Sequence, residues 1–344
     1  MTMTDTKTVE GVTEALNRDT VATIAANEPE WLQQRRTHAW DVYEATPMPT
    51  TRLEEWRYTN LRKKLNLGAL SLSSTPAAAD DMETWPTRLR ECMAQDREAS
   101  GHIVVIDGHV VHADLDADLA AKGVVLESLH EAVKNHPALL QEHLATDAVP
   151  AEEGKFEALN AAAFDAGLAI RIPRDLVLAE PLRVVVPAAP GADVLPRLLV
   201  VAEAGASVTV IEDHVGGDAG SVVVGVTEIL VGPNAEVRHV LVQRWQDGVC
   251  GHLTQRAWIE RDARFLGATA GLGGAVAKLD LGGLLAGPGA RSELVGVTLP
   301  EKRQHLDHHT LHQHLSGRTW SNIDFKAAVT GRARSAYTGL IRIE

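Results

Sequence analysis

Hydrophobic positions recur at three- and four-residue steps in the first 45 residues, a spacing that predicts amphipathic helix. The positions that share this face are Trp31, Leu32, Arg36, Ala39, Trp40 and Tyr43. Pro47 and Pro49 follow, and proline cannot continue a helix because it lacks the backbone N–H and clashes with the preceding turn. The start of the chain is therefore predicted to be helical as far as these prolines.

The pattern is mixed between the first prolines and residue 166. Residues 71–82 are small, polar and proline-containing, which indicates a loop or linker. Asp107-Gly108 separates two apolar runs and predicts a hairpin turn that needs positive φ. Helices are predicted near residues 127–145 and 153–165, the second with Gly167 as its C-cap. Residues 1–166 are thus expected to form a helical and α/β region.

From residue 167 onward the chain consists of short β-rich runs separated by Gly, Asn, Asp and Pro. Similar segments begin 13 to 15 residues apart, at residues 206, 220, 235, 250, 263, 276, 290, 305, 319 and 333. Short strands at this regular spacing are typical of a solenoid or of a sandwich.

The recurrence of one small residue where the segments begin favours the solenoid, because a stacked coil needs the same tight corner at every level. Residues 167–344 are therefore predicted to be a flattened β-helix, and a sandwich is the alternative. The prediction places four alanines near one corner of the coil: Ala206, Ala235, Ala263 and Ala290.

Composition limits the possible partners. The net charge is −13, which argues against nonspecific binding to nucleic acid or to an anionic membrane. The chain has no run of about 18 uncharged apolar residues and no apolar segment typical of a secretory signal at its start. Its two cysteines, Cys92 and Cys250, fit a reducing compartment, so a cytoplasmic location is expected.

Familiar catalytic motifs fail on spacing. The one Gly-Lys pair is Gly154-Lys155. A phosphate-binding loop needs Ser or Thr after the lysine, where this chain has Phe156, and Gly five positions before the Gly of the pair, where it has Val149. His130 and His136 lie six residues apart, on different faces of a helix, so a zinc-protease site is rejected. Two distant cysteines without a C-x-x-C motif cannot hold an iron–sulfur cluster in the usual way, which takes four thiolates.

The densest group of possible metal ligands is the segment QHLDHHTLHQH, residues 304–314. Alternate residues of a strand share a face, which places His308, His312 and His314 on one side and His305, Asp307 and His309 on the other. Imidazole suits iron, zinc or copper, so His308, His312 and His314 form a candidate metal site. Hydrogen-bonded or solvent-facing strand residues are the alternative.

Several segments resemble the SufB/SufD family of iron–sulfur cluster assembly scaffolds. The stretch AWDVYEATPMPTTRLEEWRYTNLRKKL, residues 39–65, is similar to the start of SufD proteins, where Pro-x-Pro leads into Glu-x-Trp-x-Tyr-Thr. FEALNAAAFDAG, PRLLVVAEAGASVTVIED and VTEILVGPNAEVRHVLVQ resemble core segments of the family. The most specific match is DHHTLHQHLSGRTWSNIDFKAAVTGRARSAYTGLIRIE, residues 307–344, which is similar to the late core. SufB lacks the Pro-x-Pro pattern, so the resemblance is closest to SufD.

The resemblance implies a right-handed parallel β-helix and a non-enzymatic scaffold role. It also implies pairing with a SufB-like paralogue and with a SufC-like ATPase, and a cluster assembled with these partners rather than bound by this chain alone. Family members continue into a C-terminal helical region, and residues 167–344 are expected to be a core truncated before it. A homo-oligomer is expected when the paralogue is absent. The alternatives are a carbohydrate-active enzyme on a β-helix and a self-associating structural solenoid.

Overall fold

The computed structural model describes residues 16–61, 65, 67, 70, 72, 89–90, 99–106, 109–165, 167–188, 193–217 and 220–344. The Asp107-Gly108 turn, Cys92 and almost all of the predicted loop at 71–82 lie outside these ranges.

The helices of the described residues are concentrated before residue 165. They are α1 (Arg18–Ala25), α2 (Glu30–Ala45), α3 (Ala117–Ala121), α4 (Leu129–Asn135), α5 (Pro137–His143) and α6 (Lys155–Ala163), with 3₁₀ turns at Glu54–Trp56 and Ala151–Glu153. Asn17 begins α1, because its side chain accepts hydrogen bonds from the backbone of Asp19 and Thr20. The buried face of α2 carries Leu32 and Ala39, as the hydrophobic spacing predicts.

The strands form a single series along the chain. They are β1 (Gly101–Ile106), β2 (His109–Leu115), β3 (Val125–Ser128), β4 (Gly167–Ile172), β5 (Leu182–Ala188), β6 (Asp193–Val194), β7 (Arg197–Ala202), β8 (Ser207–Gly216), β9 (Val222–Val231), β10 (Glu236–Trp245), β11 (Cys250–Ile259), β12 (Arg264–Gly271), β13 (Val276–Leu285), β14 (Arg291–Thr298), β15 (His305–His314), β16 (Trp320–Ala327) and β17 (Arg334–Ile343).

These strands pair into two sheets. Sheet A has the order β17-β15-β13-β11-β9-β7-β4-β3, and sheet B has the order β16-β14-β12-β10-β8-β5-β1-β2, while the short β6 pairs with β9. From β4 onward the chain passes alternately between the sheets, and every pairing along this path is parallel. The result is a β-solenoid of six turns followed by β17. This confirms the predicted β-helix, and the sandwich alternative is wrong.

Each turn passes the same corner just before it enters sheet B. The backbone is left-handed there at Gly205, Asn234, Asp262 and Gly289, and the next residue in each case is one of the predicted alanines, which are at most 1% exposed. The carbonyl of each alanine accepts a hydrogen bond from the first residue of the sheet B strand in the following turn. The predicted column of stacked alanines is thereby confirmed.

The main core lies between the two sheets, and a helical layer covers the outer face of sheet A. Inward-facing aliphatic side chains of both sheets form one continuous cluster along the solenoid. On the other side of sheet A, Phe156 and Leu159 of α6 pack with Val224 and Val276, which buries a face that would otherwise meet solvent. Among the described helices, none is both long and apolar enough to span a membrane.

The predicted end of α6 is wrong. The helix ends at Ala163 rather than near Gly167, because Phe164 turns into extended backbone. Its last carbonyls are satisfied from another helix: the Arg36 guanidinium donates to Ala162 and Phe164 and lies 3.7 Å over the Phe164 ring. Gly167 instead begins β4, where a Cβ would lie only 2.8 Å from Leu129 Cβ.

Candidate functional site

Polar side chains accumulate on the outer face of sheet A, under the helical layer. Parallel register aligns His252 of β11, Lys278 of β13 and Asp307 of β15 in one row. The next row aligns Thr254, Asp280 and His309. We call these six residues, with Arg256, Glu153 and Glu157, the outer polar cluster. It is notable because the adjoining strand β9 of sheet A has valines, Val224 and Val226, at the positions aligned with His252 and Thr254.

The segment of residues 46–59, here called the strap, is fixed to the first row. Lys278 donates to the carbonyl of Glu55 at 2.6 Å and lies 4.9 Å over the Trp56 ring. The Thr59 hydroxyl donates to Asp307. Trp56 stacks on Phe156 with ring centroids 5.3 Å apart. Residues of the Glu-x-Trp-x-Tyr-Thr motif therefore hold the N-terminal region against the solenoid.

Arg256 of β11 lies beside the second row, two residues after Thr254. It reaches across β13, where Gly282 leaves room: a Cβ at Gly282 would lie 2.6 Å from Arg256 Cδ. Its guanidinium contacts Glu153 at 2.8 Å and Asp280 Oδ1 at 3.0 Å. Burial alone would raise the pKa of Asp280, but the charge of Arg256 and the hydrogen bond from His309 hold that pKa well below its usual range. Asp280 is thus a carboxylate at neutral pH.

Glu157 of α6 completes the outer polar cluster. Its Oε1 atom accepts hydrogen bonds from His252 Nε2 at 3.1 Å and from the Thr254 hydroxyl. Burial favours a raised pKa for this carboxyl, yet the hydrogen bonds and the charge of His252 lower it below its ordinary value. The helical layer and the solenoid are therefore joined by buried charge as well as by apolar packing.

A cavity of ≈ 680 Å³ opens beside the cluster. Asp280, His309 and Arg256 are on its floor, the strap forms one wall, and Glu152, Glu153 and Lys155 form another. The part of the strap that faces the cavity is apolar, with Met48, Pro49, Leu53 and Trp56 among its lining residues. The cavity therefore combines a charged floor with a hydrophobic side.

Possible metal ligands of residues 304–314 lie on both faces of β15, as the alternation predicts, and the three predicted ligands, His308, His312 and His314, share the inner face. His305, Asp307 and His309 contact the strap and Asp280 on the outer face. On the inner face, His308 packs 5.7 Å from the Phe325 ring, His312 Nε2 lies 2.8 Å from Ser292 Oγ, and His314 contacts Thr319 and Ser321. Burial lowers the pKa of His308 and of His312 to about 4, so both imidazoles are neutral near pH 7.

Inward-facing His308 and His312 are not close neighbours. Four residues along a strand span about 13 Å, so one ion could be shared by His312 and His314 more readily than by all three. Both ring nitrogens of His308 and Nδ1 of His312 are buried without a hydrogen-bond partner in the described part of the chain. There, no group of three or more His, Cys, Asp or Glu side chains is arranged to hold a metal ion. Metal ligation by these histidines stays a prediction.

A second polar group lies inside the solenoid and was not predicted from the sequence. The carboxylate of Glu212 accepts hydrogen bonds from Thr227 at 2.8 Å, from His214 at 2.7 Å and from His239 at 3.0 Å. We call these four residues the inner polar cluster. Burial would raise the pKa of Glu212, but the hydrogen bonds from both histidines hold it far below its usual range. An acid and a histidine at alternate positions of an apolar strand, Glu212 and His214, are the sequence signal for it.

The protein is thus a β-solenoid in which an N-terminal helical layer and a strap cover one sheet through a buried polar cluster. Two family models match the sequence, the SufBD protein N-terminal region over residues 13–184 and the SUF system FeS cluster assembly SufBD core domain over residues 185–344. The chain belongs to the SufB/SufD family of iron–sulfur cluster assembly proteins, which confirms the resemblance read from its motifs.

Relatives agree with this assignment. The chain is 24% identical over 336 residues to iron–sulfur cluster assembly SufBD family proteins of Staphylococcus haemolyticus and Staphylococcus aureus, covering 96% of this chain and 72% of each relative. A SufBD family protein of Staphylococcus epidermidis is 24% identical over 319 residues, which is 91% of this chain and 68% of that protein. The names of these relatives do not separate SufB from SufD.

Proposed function

We propose that this chain is a SufD-like scaffold subunit that pairs with a SufB-like paralogue and a SufC-like ATPase. Clusters are built at the surface shared with the paralogue, and ATP is hydrolysed in another subunit. The SufD-like assignment rests on the Pro-x-Pro…Glu-x-Trp-x-Tyr-Thr motif, whose residues Trp56 and Thr59 contact the solenoid. We propose that cluster assembly by this subunit takes place in the cytoplasm, which agrees with the low cysteine content of the chain.

The small number of cysteines supports the proposal that this chain needs partner subunits to hold a cluster. An iron–sulfur cluster is usually held by four thiolates, and this sequence has two cysteines. Cys250 lies on the outer face of sheet A against the helical layer, and it is not in a disulfide. The remaining ligands must therefore come from outside these 344 residues, for which a paralogous scaffold is the simplest source.

The proposal gives this subunit no catalytic step of its own. It contributes an interaction surface and imidazole groups that bind iron during its transfer. We propose His308, His312 and His314 for this binding. Their support is that His308 and His312 are neutral imidazoles with unpaired ring nitrogens in the described structure. Co²⁺ is a suitable spectroscopic probe: its visible absorption on binding should fall in His312→Ala and His314→Ala, while the exposed His38→Ala leaves it unchanged.

Co-expression tests the scaffold role directly. The chain, carrying the only affinity tag, is produced with a SufB-like and a SufC-like protein and purified without oxygen. We expect both partners to co-purify, and iron and acid-labile sulfide to be found in the complex. The chain alone should neither hydrolyse ATP nor retain a cluster, and it should self-associate, because exposed apolar side chains such as Leu340, Ile341 and Ile343 lie on β17.

Two results contradict the proposal. One is recovery of the tagged chain without either partner under conditions in which the two partners bind each other. The other is a brown protein with stoichiometric iron and sulfide from the chain alone. A tagged SufB-like protein expressed without this chain is the matched control, because it shows how much cluster forms when this subunit is absent.

A further inference from the structure

The cavity beside the outer polar cluster has a floor made of buried charge. Arg256 is 2% exposed, Glu157 is 5% exposed and His309 is 7% exposed, yet all three line the cavity. Placing ionisable side chains this deep carries a large desolvation cost unless they are paired. The hydrogen bonds of these groups therefore show which chemistry the floor still lacks.

The donors of the floor are already used. Arg256 Nε and Nη2 donate to Glu153 Oε1, Nη1 donates to the carbonyls of Gln255 and Asp280, and Nη2 also reaches Asp280 Oδ1. Lys155 on the cavity wall donates to the carbonyl of Tyr43 and lies 3.6 Å over its ring. Arg256 therefore has no donor left for an acceptor in the cavity, and the ammonium group of Lys155 is directed towards Tyr43.

Acceptors, by contrast, remain open. Asp280 Oδ1 receives Arg256 and His309, but Oδ2 has no hydrogen-bond partner in the described ranges, and the same is true of Oε2 of Glu153 and of Glu157. A carboxylate can only accept, so His309 Nδ1 carries the proton that joins it to Asp280 at 2.8 Å.

The charge balance points the same way. Five acidic residues line the cavity, against three basic ones: Glu55, Glu152, Glu153, Glu157 and Asp280 face Lys155, Arg256 and Arg342. An anion would meet this excess of carboxylate, whereas a cation would be attracted to it. The apolar wall, which includes Met48, Leu53 and Leu311, would contact an aliphatic stem behind the cationic group.

We propose that this cavity binds an alkyl ammonium or guanidinium group carried on an apolar stem, with Asp280 and Glu153 accepting its hydrogen bonds. The group comes either from a free diamine or from a lysine or arginine side chain of a peptide. This site goes beyond cluster assembly and does not depend on it. The strap forms one wall, so binding also couples the cavity to the contact between the N-terminal region and the solenoid.

Calorimetric titration of the whole chain with cadaverine, and separately with a capped Gly-Lys-Gly peptide, tests the proposal. At least one of the two should bind. Tighter binding of the peptide would identify a cation carried by a protein, and tighter binding of cadaverine would identify a free cation. Hexanoate and 1-pentanol, with the same stem length and no positive charge, should not bind. Raising NaCl from 50 to 500 mM should weaken the binding of the cation several-fold, because salt screens part of its attraction to the carboxylates.

Variants locate the site. Asp280→Asn and Glu153→Gln should each raise the Kd about tenfold, as expected for loss of a charge-assisted hydrogen bond. Glu260→Gln, at an exposed turn of the solenoid, removes the same charge elsewhere and should leave the Kd unchanged. Leu53→Arg should block binding, since Leu53 is 46% exposed at the cavity wall and the variant supplies a tethered guanidinium. Absence of binding by both cations, equal binding of hexanoate, or equal effects of Glu260→Gln and Asp280→Asn would overturn the proposal.

Discussion

The inner and outer polar clusters use the same chemistry in two surroundings. In each, a buried carboxylate accepts hydrogen bonds from an imidazole and has a pKa below its ordinary range. The inner carboxylate, Glu212, has three hydrogen-bonded side chains around it and is sealed between the sheets. The outer one, Asp280, is 15% exposed in its side chain and borders a cavity. Which face of a strand a polar residue occupies therefore decides whether it is locked or available.

Strand β15 carries both situations in one segment. Asp307 and His309 point to the outer face and have ion-pair or hydrogen-bond partners from the strap and from β13. His308 and His312 point inward, where burial lowers the pKa of each. A difference of one residue in register would exchange the two sets.

Acid should destabilise the protein most through the inward histidines. Each has a pKa lowered from 6.5 to about 4, so between these values the unfolded chain binds protons that the folded chain does not. The stability they contribute is present above pH 6.5 and is lost as pH falls towards 4, by about 3 kcal/mol per histidine at ~1.36 kcal/mol per pKa unit. Urea unfolding at pH 7.5, 6 and 5 should show the decline.

A variant without these two histidines is the control for that experiment. The double variant His308→Gln/His312→Gln should flatten the dependence between pH 7.5 and 5, whatever its absolute stability. His38→Gln, on the exposed side of α2, should keep the wild-type slope. An unchanged slope in the double variant would show that other groups cause the acid sensitivity.

Removing the charge from the sealed carboxylate should have the next largest effect. Glu212→Gln leaves His214 and His239 with an amide in place of an ionised acceptor, and we expect a loss of about 3 kcal/mol in unfolding free energy. Chemical denaturation measures it. Glu236→Gln, half-buried on the outer face of the neighbouring strand β10, is the matched control and should change stability by less than about 1 kcal/mol.

Two adjacent glycines of β13 test whether the outer face has more freedom than the interior. At Gly283, which faces inward, a Cβ would crowd Ser292 and His312, and Gly283→Ala should cost about 2 kcal/mol. At Gly282 the obstacle is the flexible Arg256 side chain, which can move towards the cavity, so Gly282→Ala should cost about 1 kcal/mol. Equal losses in thermal or urea unfolding would contradict the distinction between the faces.

The smallest loss is expected at the open carboxylate. Asp280→Asn leaves Arg256 paired with Glu153, and water in the cavity can solvate the amide. We expect a loss of about 1 kcal/mol in urea unfolding. A cost as large as that of Glu212→Gln would mean that the outer cluster is as firmly locked as the inner one.

The sequence predicts the solenoid well because every turn repeats the same local signals. A residue that tolerates a left-handed backbone precedes a small buried residue, as in Asn234-Ala235 and Asp262-Ala263, and that pair marks the corner without any knowledge of distant contacts. The observed strands begin within two residues of the predicted segments. Local turn chemistry and strand alternation are both short-range, so they can be read from one sequence.

The outer polar cluster could not be predicted in the same way. Thr59 meets Asp307 across 248 residues of chain, and Glu157 meets Thr254 across 97. The alternation of side chains along a strand predicts that Asp307 and His309 share a face. Their partners on that face depend on the register between turns and on the position of the strap. The misplaced end of α6 has a similar cause, because its C-terminal carbonyls are satisfied by Arg36 from another helix.

The repeated left-handed corner also makes the solenoid a chain of nearly equal mechanical units. Equivalent positions of successive turns are aligned in sheet B, at Ser207, Glu236, Arg264, Arg291 and Trp320. The turns between them are 29, 28, 27 and 29 residues long. Each turn contacts mainly its neighbours, as in other repeat folds. Pulled from the C-terminal end, sheet A and sheet B would lose one strand each per turn, and an extended turn would release roughly 95 Å of contour length at ~3.4 Å per residue. A single-molecule force trace would then show a ladder of similar steps, interrupted where the strap and α6 bind the next turn to the N-terminal region.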